Sequence, residues 1–226
     1  MKILFLSDNF PPEVNALATR TYEHCKIWVE QGHDVTVITC FPNFPQGKIY
    51  SGYKNKLYQQ EIIDGIRIIR VWSYIAPNSG FLKRSLDQFS SAFTSGIAGL
   101  FIKNTNCIIA SSPQFFTAWA AFFLSKVKRT PWVFEVRDMW PEGIIFLNRG
   151  SYLYKILEKI ELGLYRSADK IVVVTESFKN SIVRRSKVSP SKIRVIYNGS
   201  NNELLTPREK NQKILRKLKL EDMFVI

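Results

Sequence analysis

The chain has 226 residues, 46% of them hydrophobic and 23% charged, and a formal net charge of +13. These values fit one α/β domain with a sizeable core, or a domain and the start of another, and exclude long disordered stretches. No apolar run approaches the roughly 18 to 20 residues of a membrane span, and the basic residues fall in scattered pairs such as Lys83-Arg84 and Arg184-Arg185, which argues against a nucleic-acid binder.

Ile3 to Leu6 reads as a buried strand; ended by Ser7-Asp8, it is too short for a secretory leader. Asn15 to Gln31 reads as a helix closed by Gly32, and Asp34 to Thr39 as a β-branched strand. Pro42, Pro45, Gly47 and Gly52 mark a long loop. Leu57 to Ile63 and Ile66 to Trp72 form a strand pair joined at the hairpin dipeptide Asp64-Gly65. Leu82 to Lys103 is a long amphipathic helix, followed by a strand over Cys107 to Ala110. Pro113 to Lys126 is a helix with Ser112 as cap. Trp132 to Val136 is a strand, and Tyr152 to Arg166 a helix with Leu153, Leu157, Ile160 and Leu164 on one face. Ile171 to Val174, a helix from Ser177 to about Ser186, and Ile193 to Ile196 complete the alternation.

Strands separated by helices predict an α/β, Rossmann-like fold: an open, mainly parallel sheet with helices on both faces. Ligands bind beyond the carboxyl ends of such strands, so the loops starting at Ser7, Thr39, Ser111, Arg137 and Thr175 are the places to look. After residue 205 the pattern changes. Thr206-Pro207-Arg208-Glu209 has a capping-box pattern, and Met223 to Ile226 reads as a new strand. Residues 1–205 are thus expected to form one domain, and 206–226 a linker helix and the first strand of a second domain that is missing. Cys25, Cys40 and Cys107 lie in apolar surroundings, the pattern of buried free thiols in a reducing cytoplasm.

No glycine precedes Gly32, so the first loop is no dinucleotide fingerprint, and Gly47-Lys48-Ile49 is no P-loop. The first loop, Ser7 to Ala16, instead contains Pro11, Pro12 and Glu13, then Asn15 and Ala16 where the helix starts. Its N-terminus can face an anion, or Asn15 can simply cap the helix. Phe134-Glu135-Val136-Arg137-Asp138-Met139-Trp140-Pro141-Glu142 places charges at the end of a buried strand, where they need partners. Glu135 and Arg137 share a face and can pair with each other or with neighbours. Asp138 can accept a proton from a hydroxyl, and Trp140 can stack on a sugar ring. A structural ion pair with Trp140 in the core explains the run equally well. Ser111-Ser112-Pro113-Gln114 offers another anion or hydroxyl site, although capping accounts for Ser112. On the long helix, Leu86, Phe89, Phe93, Ile97, Leu100 and Phe101 read as the face packed on the sheet, with an anionic bilayer under the basic start at Lys83-Arg84 as the alternative.

Asn9-Phe10-Pro11-Pro12-Glu13, Gly32-His33-Asp34-Val35-Thr36-Val37, Pro42-Asn43-Phe44-Pro45-x-Gly47-Lys48, Ser112-Pro113-Gln114-Phe115-Phe116 and the run Phe134 to Glu142 together resemble family 4 glycosyltransferases of the GT-B fold. Within these they resemble the subgroup that builds capsule, O-antigen or colanic-acid-type polysaccharides, its fucosamine transferases especially. The resemblance implies retaining transfer from a nucleotide sugar, a UDP-sugar, to a lipid-diphosphate-linked or polysaccharide acceptor at the cytoplasmic membrane face. Three scattered cysteines and only His24 and His33 as imidazoles argue against a metal site, and no tightly bound cofactor is expected. Asp138 becomes the candidate base or acceptor-positioning residue. Pro12, Glu13, Asn15, Ala16, Arg20, Ser112, Gln114, Arg137, Trp140 and Glu142 become the candidate substrate-binding residues. Members of the family also carry a donor-domain pair of glutamates with seven residues between them, and no two glutamates here are so spaced. The chain alone is therefore expected to need a missing or separate donor-binding domain for useful turnover; a non-catalytic acceptor-binding module or one subunit of a split transferase are the other readings.

Overall fold

A computed structural model describes residues 1–75, 81–112, 115–139, 150–199, 211–220 and 223, with residues 81 and 82 described by their backbone only. Among the described residues, eight strands form one sheet in the order β3-β4-β2-β1-β5-β6-β7-β8. They are β1 (Lys2–Leu6), β2 (Asp34–Cys40), β3 (Tyr58–Ile63), β4 (Ile66–Val71), β5 (Cys107–Ser111), β6 (Trp132–Val136), β7 (Lys170–Val173) and β8 (Ile193–Val195). All pairings are parallel except β3 with β4. That one pair is a hairpin, turned through Asp64 at φ 48° and Gly65 at φ 77°. Two successive positive φ angles are what a tight primed turn needs.

The helices are α1 (Ala16–Glu30), α2 (Phe81–Leu100), α3 (Phe115–Lys128), α4 (Tyr152–Ser167) and α5 (Glu176–Ser186). Asn15 caps α1 by accepting from Ala18 N at 2.9 Å, and Gly32, at φ 82°, follows its end. Alternate residues of each strand enter opposite cores, as the two-residue period requires. Ile3 and Phe5 join Phe10, Cys25, Val35, Val37, Ile66 and Ile68 under α1. Leu4 and Leu6 join the larger core that contains Leu124, Trp132, Leu164 and Ile182, under α2 to α5. Both faces are thus covered as expected, but unevenly, with one helix on one side and four on the other. Trp132 is wholly buried, donates Nε1 to the Ser167 carbonyl at 3.1 Å and stacks on Phe134. Tyr165, stacked on Phe134 in turn, donates to Glu161, which also takes Nη2 of Arg185 at 2.8 Å and so closes α4 onto α5.

Three expectations need correction. The α2 stripe is turned away from the sheet: Leu86, Phe89, Phe93, Ile97, Leu100 and Phe101 are all exposed. Among its described side chains, the buried residues of α2 are small, namely Ser91, Ala92, Ser95, Gly96 and Gly99. They allow close approach to α3; a Cβ on Gly99 would lie 2.4 Å from Leu124 Cδ1. On α4, Leu153 is exposed while Tyr154, Glu161, Leu164 and Tyr165 are buried. Cys25 and Cys40 are buried free thiols, but Cys107 is only half-buried.

Residues Met1–Ile196 make one compact unit and Tyr197–Ile226 another. In the latter, α6 (Gln212–Leu218) is capped by Asn211, which accepts from Lys213 N and Ile214 N. The proposed cap at Thr206 lies outside the described residues, as does residue 224 onward. Among the described residues no helix is long and apolar enough to cross a membrane.

Candidate active site

The strand order reverses direction between β1 and β5, and open α/β sheets bind ligands at the carboxyl side of such a switch point. A cleft of about 360 Å³ lies there. The loops after β1, β2, β5 and β6 meet in it through Asp8, Asn43, Ser112 and Asp138, and the start of α1 and the first two turns of α2 close it through Asn15, Arg84 and Asp87. The loop after β7 does not line it.

The first loop is held in place by Glu13, a buried carboxylate with four donors around it. Oε1 accepts from the backbone N–H groups of Asn43 at 2.8 Å and Phe44 at 2.9 Å; Oε2 accepts from Asn9 Nδ2 at 3.0 Å and Phe10 N at 3.3 Å. One side chain thereby joins the β1–α1 loop to the β2–β3 loop. Arg70, also fully buried, braces the same region from β4. Its Nε donates to Glu61 at 2.6 Å, Nη1 to the Cys40 carbonyl at 3.0 Å and Nη2 to the Pro11 carbonyl at 2.5 Å.

Ser112 has a role that capping does not describe. Its hydroxyl accepts from Arg137 N at 2.8 Å and Asp138 N at 3.1 Å and donates to the Asp138 carbonyl at 3.2 Å. Those bonds tie the loop after β5 to the loop after β6. Ser112 therefore fixes the backbone of Arg137 and Asp138 at the cleft, with the Asp138 side chain exposed on the lining. Glu135 reaches neither Arg137 nor the cleft: its partner is Arg20 of α1, with His24 Nδ1 at 3.9 Å. Burial lowers the affinity of Arg20 and His24 for their protons, and the Glu135 charge opposes this at both.

Of the candidate residues, Asn15, Ala16, Ser112, Arg137 and Asp138 come together on the lining. Pro12 is exposed away from it, Glu13 braces it from beneath, and Arg20 lies behind it. Gln114, Trp140 and Glu142 lie outside the described residues.

Sequence reasoning missed two acids. Asp8 accepts from Thr117 Oγ1 at 2.6 Å and from Ser91 Oγ at 3.5 Å on the cleft floor. Burial, with smaller contributions from Asp87 and Glu13, pushes its carboxyl up to about 7. Asp87 is raised to about 6, again by burial first and then by Glu13, while Arg84 pulls it down. The signal for Asp8 was its place directly after β1; Asp87 offered none, sitting within a helix. Among the described residues no three His, Cys, Asp or Glu are grouped to hold a metal ion.

Known proteins share this fold. Over 97% of the chain it resembles sucrose-phosphate synthase from Thermosynechococcus elongatus, with a TM-score of 0.64 and 14% identity, covering 52% of that chain. Over 98% of the chain it resembles Anabaena HepE, solved in complex with UDP-glucose, with a TM-score of 0.61 and 13% identity, covering 50% of that chain. In sequence it is 24% identical over 193 residues to the "Putative colanic acid biosynthesis glycosyl transferase WcaI" of Escherichia coli (strain K12), covering 82% of this chain and 47% of that protein. The chain therefore spans about half the length of the relatives it matches. The sequence profile of Glycosyltransferase Family 4 matches residues 17–204, well over half of the chain, and the chain belongs to that family.

Proposed function

We propose that this domain is the acceptor half of a retaining, sugar-nucleotide-dependent glycosyltransferase of surface-polysaccharide assembly, and that its cleft takes the diphosphate and first sugar of a lipid-linked acceptor. One observation carries the reading: Asn15 Nδ2, at the N-terminus of α1 on the cleft wall, is buried without a hydrogen-bond partner. A buried donor left unmade is costly, and the helix end beside it presents further N–H groups and a positive dipole. An anionic oxygen at this spot satisfies all of them. Arg84 and Arg137 add positive charge to the lining. The raised values of Asp8 and Asp87 keep both partly protonated near neutrality, which limits their repulsion of an anion. Asp8 then suits proton exchange with a sugar hydroxyl at neutral pH, and Asp138 suits positioning of that hydroxyl. HepE, solved with UDP-glucose, supports a UDP-sugar as donor; in this reading a second domain holds it.

The test is calorimetric titration of the chain with UDP, a UDP-N-acetylhexosamine and a short-chain lipid-diphosphate-sugar. The acceptor is expected to bind and the nucleotides to bind weakly at most. Asn15→Asp keeps a capping oxygen of similar quality but replaces the donor by a negative charge, so it should abolish acceptor binding with little change in stability. Tight UDP binding with no acceptor binding would place a complete nucleotide site in this domain and overturn the proposal.

A further inference from the structure

A second surface of the domain has no task in that reading. α2 and α3 lie side by side from the cleft downward, with Gly96 facing Ala120, Gly99 facing Leu124, and the Lys128 ammonium donating to the carbonyls of Leu100 and Ile102. On α2 the small residues pack inward and the large ones point out; α3 buries Phe115 and Leu124 but turns other large residues outward. Phe89 and Phe93 on α2, and Phe101 just after it, are 55%, 61% and 77% exposed. Trp119, Phe123 and Val127 are exposed at four-residue spacing on α3. The Phe89 and Phe93 rings stack at 6.4 Å, and Phe89 meets the half-buried Phe116 of α3 edge-on at 5.7 Å, which links the aromatics of the two helices. Contiguous apolar surface of this kind marks an interaction site rather than scattered exposure.

Charge on this face is one-sided. The two helices carry Lys83, Arg84, Lys126 and Lys128 against a single acid, Asp87, and that acid lines the cleft. Lys103 and Arg129, both exposed, follow their far ends.

We propose that the α2–α3 face is the surface by which the domain rests on an anionic phospholipid bilayer. Outward aromatics bordered by cations, with no outward acid, are the composition of an interfacial element, and each lysine or arginine near an anionic leaflet multiplies binding about fivefold. The face starts at the rim of the cleft, because Arg84 and Asp87 belong both to α2 and to the lining. A ligand whose tail stays in the bilayer thus has a short path for its head group into the cleft. This last point rests on the proposed function; the docking itself needs no acceptor.

The experiment is co-sedimentation of the full chain with vesicles of phosphatidylcholine alone and of phosphatidylcholine mixed with phosphatidylglycerol. Binding is expected to the mixed vesicles and to weaken with added salt. Phe93→Ser combined with Phe123→Ser should cut the partition coefficient at least about tenfold, with an unchanged far-ultraviolet circular dichroism spectrum because both side chains are exposed. Lys83→Gln combined with Lys126→Gln should cut binding to the mixed vesicles by at least about tenfold. Absence of binding to the mixed vesicles, or equal binding by the phenylalanine variant, overturns the proposal. So does a dimer that the phenylalanine substitutions dissociate in a chain that ignores vesicles. Vesicle binding without any acceptor binding would refute the proposed function and leave the docking face standing.

Discussion

Glu13 separates a scaffolding role from a ligand-binding one, and Glu13→Gln tests the difference. The carboxylate is surrounded only by donors: Asn43 N, Phe44 N, Asn9 Nδ2 and Phe10 N. A glutamine must turn its NH2 toward one pair. Turning it toward Asn9 and Phe10 is the cheaper choice, since the Asn9 amide can flip to accept and the Phe10 bond is the longest of the four at 3.3 Å. Phe10 N is then left unsatisfied, at about 1–3 kcal/mol. The bonds to Asn43 and Phe44 survive but lose their charge assistance, about half their strength. The sum is on the order of 3 kcal/mol, which lowers the melting temperature by roughly 6–12 °C in a chain of this size. A second readout comes from charge. Glu13 contributes to the raised values of both Asp8 and Asp87, so its neutralisation must lower both. Differential scanning calorimetry and carboxyl-carbon NMR titration measure the two effects. A Glu13→Gln chain that melts with the wild type but no longer binds the lipid-diphosphate-sugar would refute the scaffold argument and return Glu13 to the ligand contacts.

Asp8→Asn tests the burial of a carboxyl on the cleft floor. Its folded value of about 7 lies above the roughly 4 of an unfolded aspartate. Between the two the folded chain holds a proton that the unfolded chain has released, so this group's contribution makes stability fall as pH rises from about 4 to about 7 and then level off. Asparagine still accepts from Thr117 and removes the slope. Urea unfolding should therefore find the variant close to wild type near the bottom of that window and more stable above its top; a difference independent of pH would contradict the assignment. Gly65→Ala adds a Cβ 2.8 Å from Val29 Cγ1 at φ 77°, whereas Gly52→Ala faces the same backbone strain at φ 88° with nothing within 4 Å. The first should cost about 2–4 kcal/mol and the second about 1–2 kcal/mol by chemical denaturation; equal losses would mean that the hairpin turn does not press on α1.

Most of the sheet is legible in the sequence because strands buried on both faces announce themselves locally. Leu4, Leu6, Val35, Val37, Ile66 and Ile68 lie within short apolar runs, and Asp64-Gly65 specifies its turn without help from the rest of the chain. What escapes is relational. The cost of burying Glu135 shows that it needs a partner, but nothing local points to Arg20, 115 positions earlier. The loop after β1 can be nominated, yet Asp8 gains its importance only once β1 and β5 are neighbours and the switch point falls between them. α2 is the clearest case. Hydrophobic periodicity weighs large side chains, so it assigns Leu86, Phe89, Phe93 and Ile97 to the core. The helix instead has three working faces: small residues from Ser91 to Gly99 against the sheet and α3, Arg84, Asp87 and Gln88 on the cleft, and aromatics outward. A rule that divides a helix into an apolar inside and a polar outside must misassign one of three faces. Here it misassigns the one whose large apolar residues have water on the other side, and such a misassignment is itself the sequence-level trace of a surface waiting for a partner.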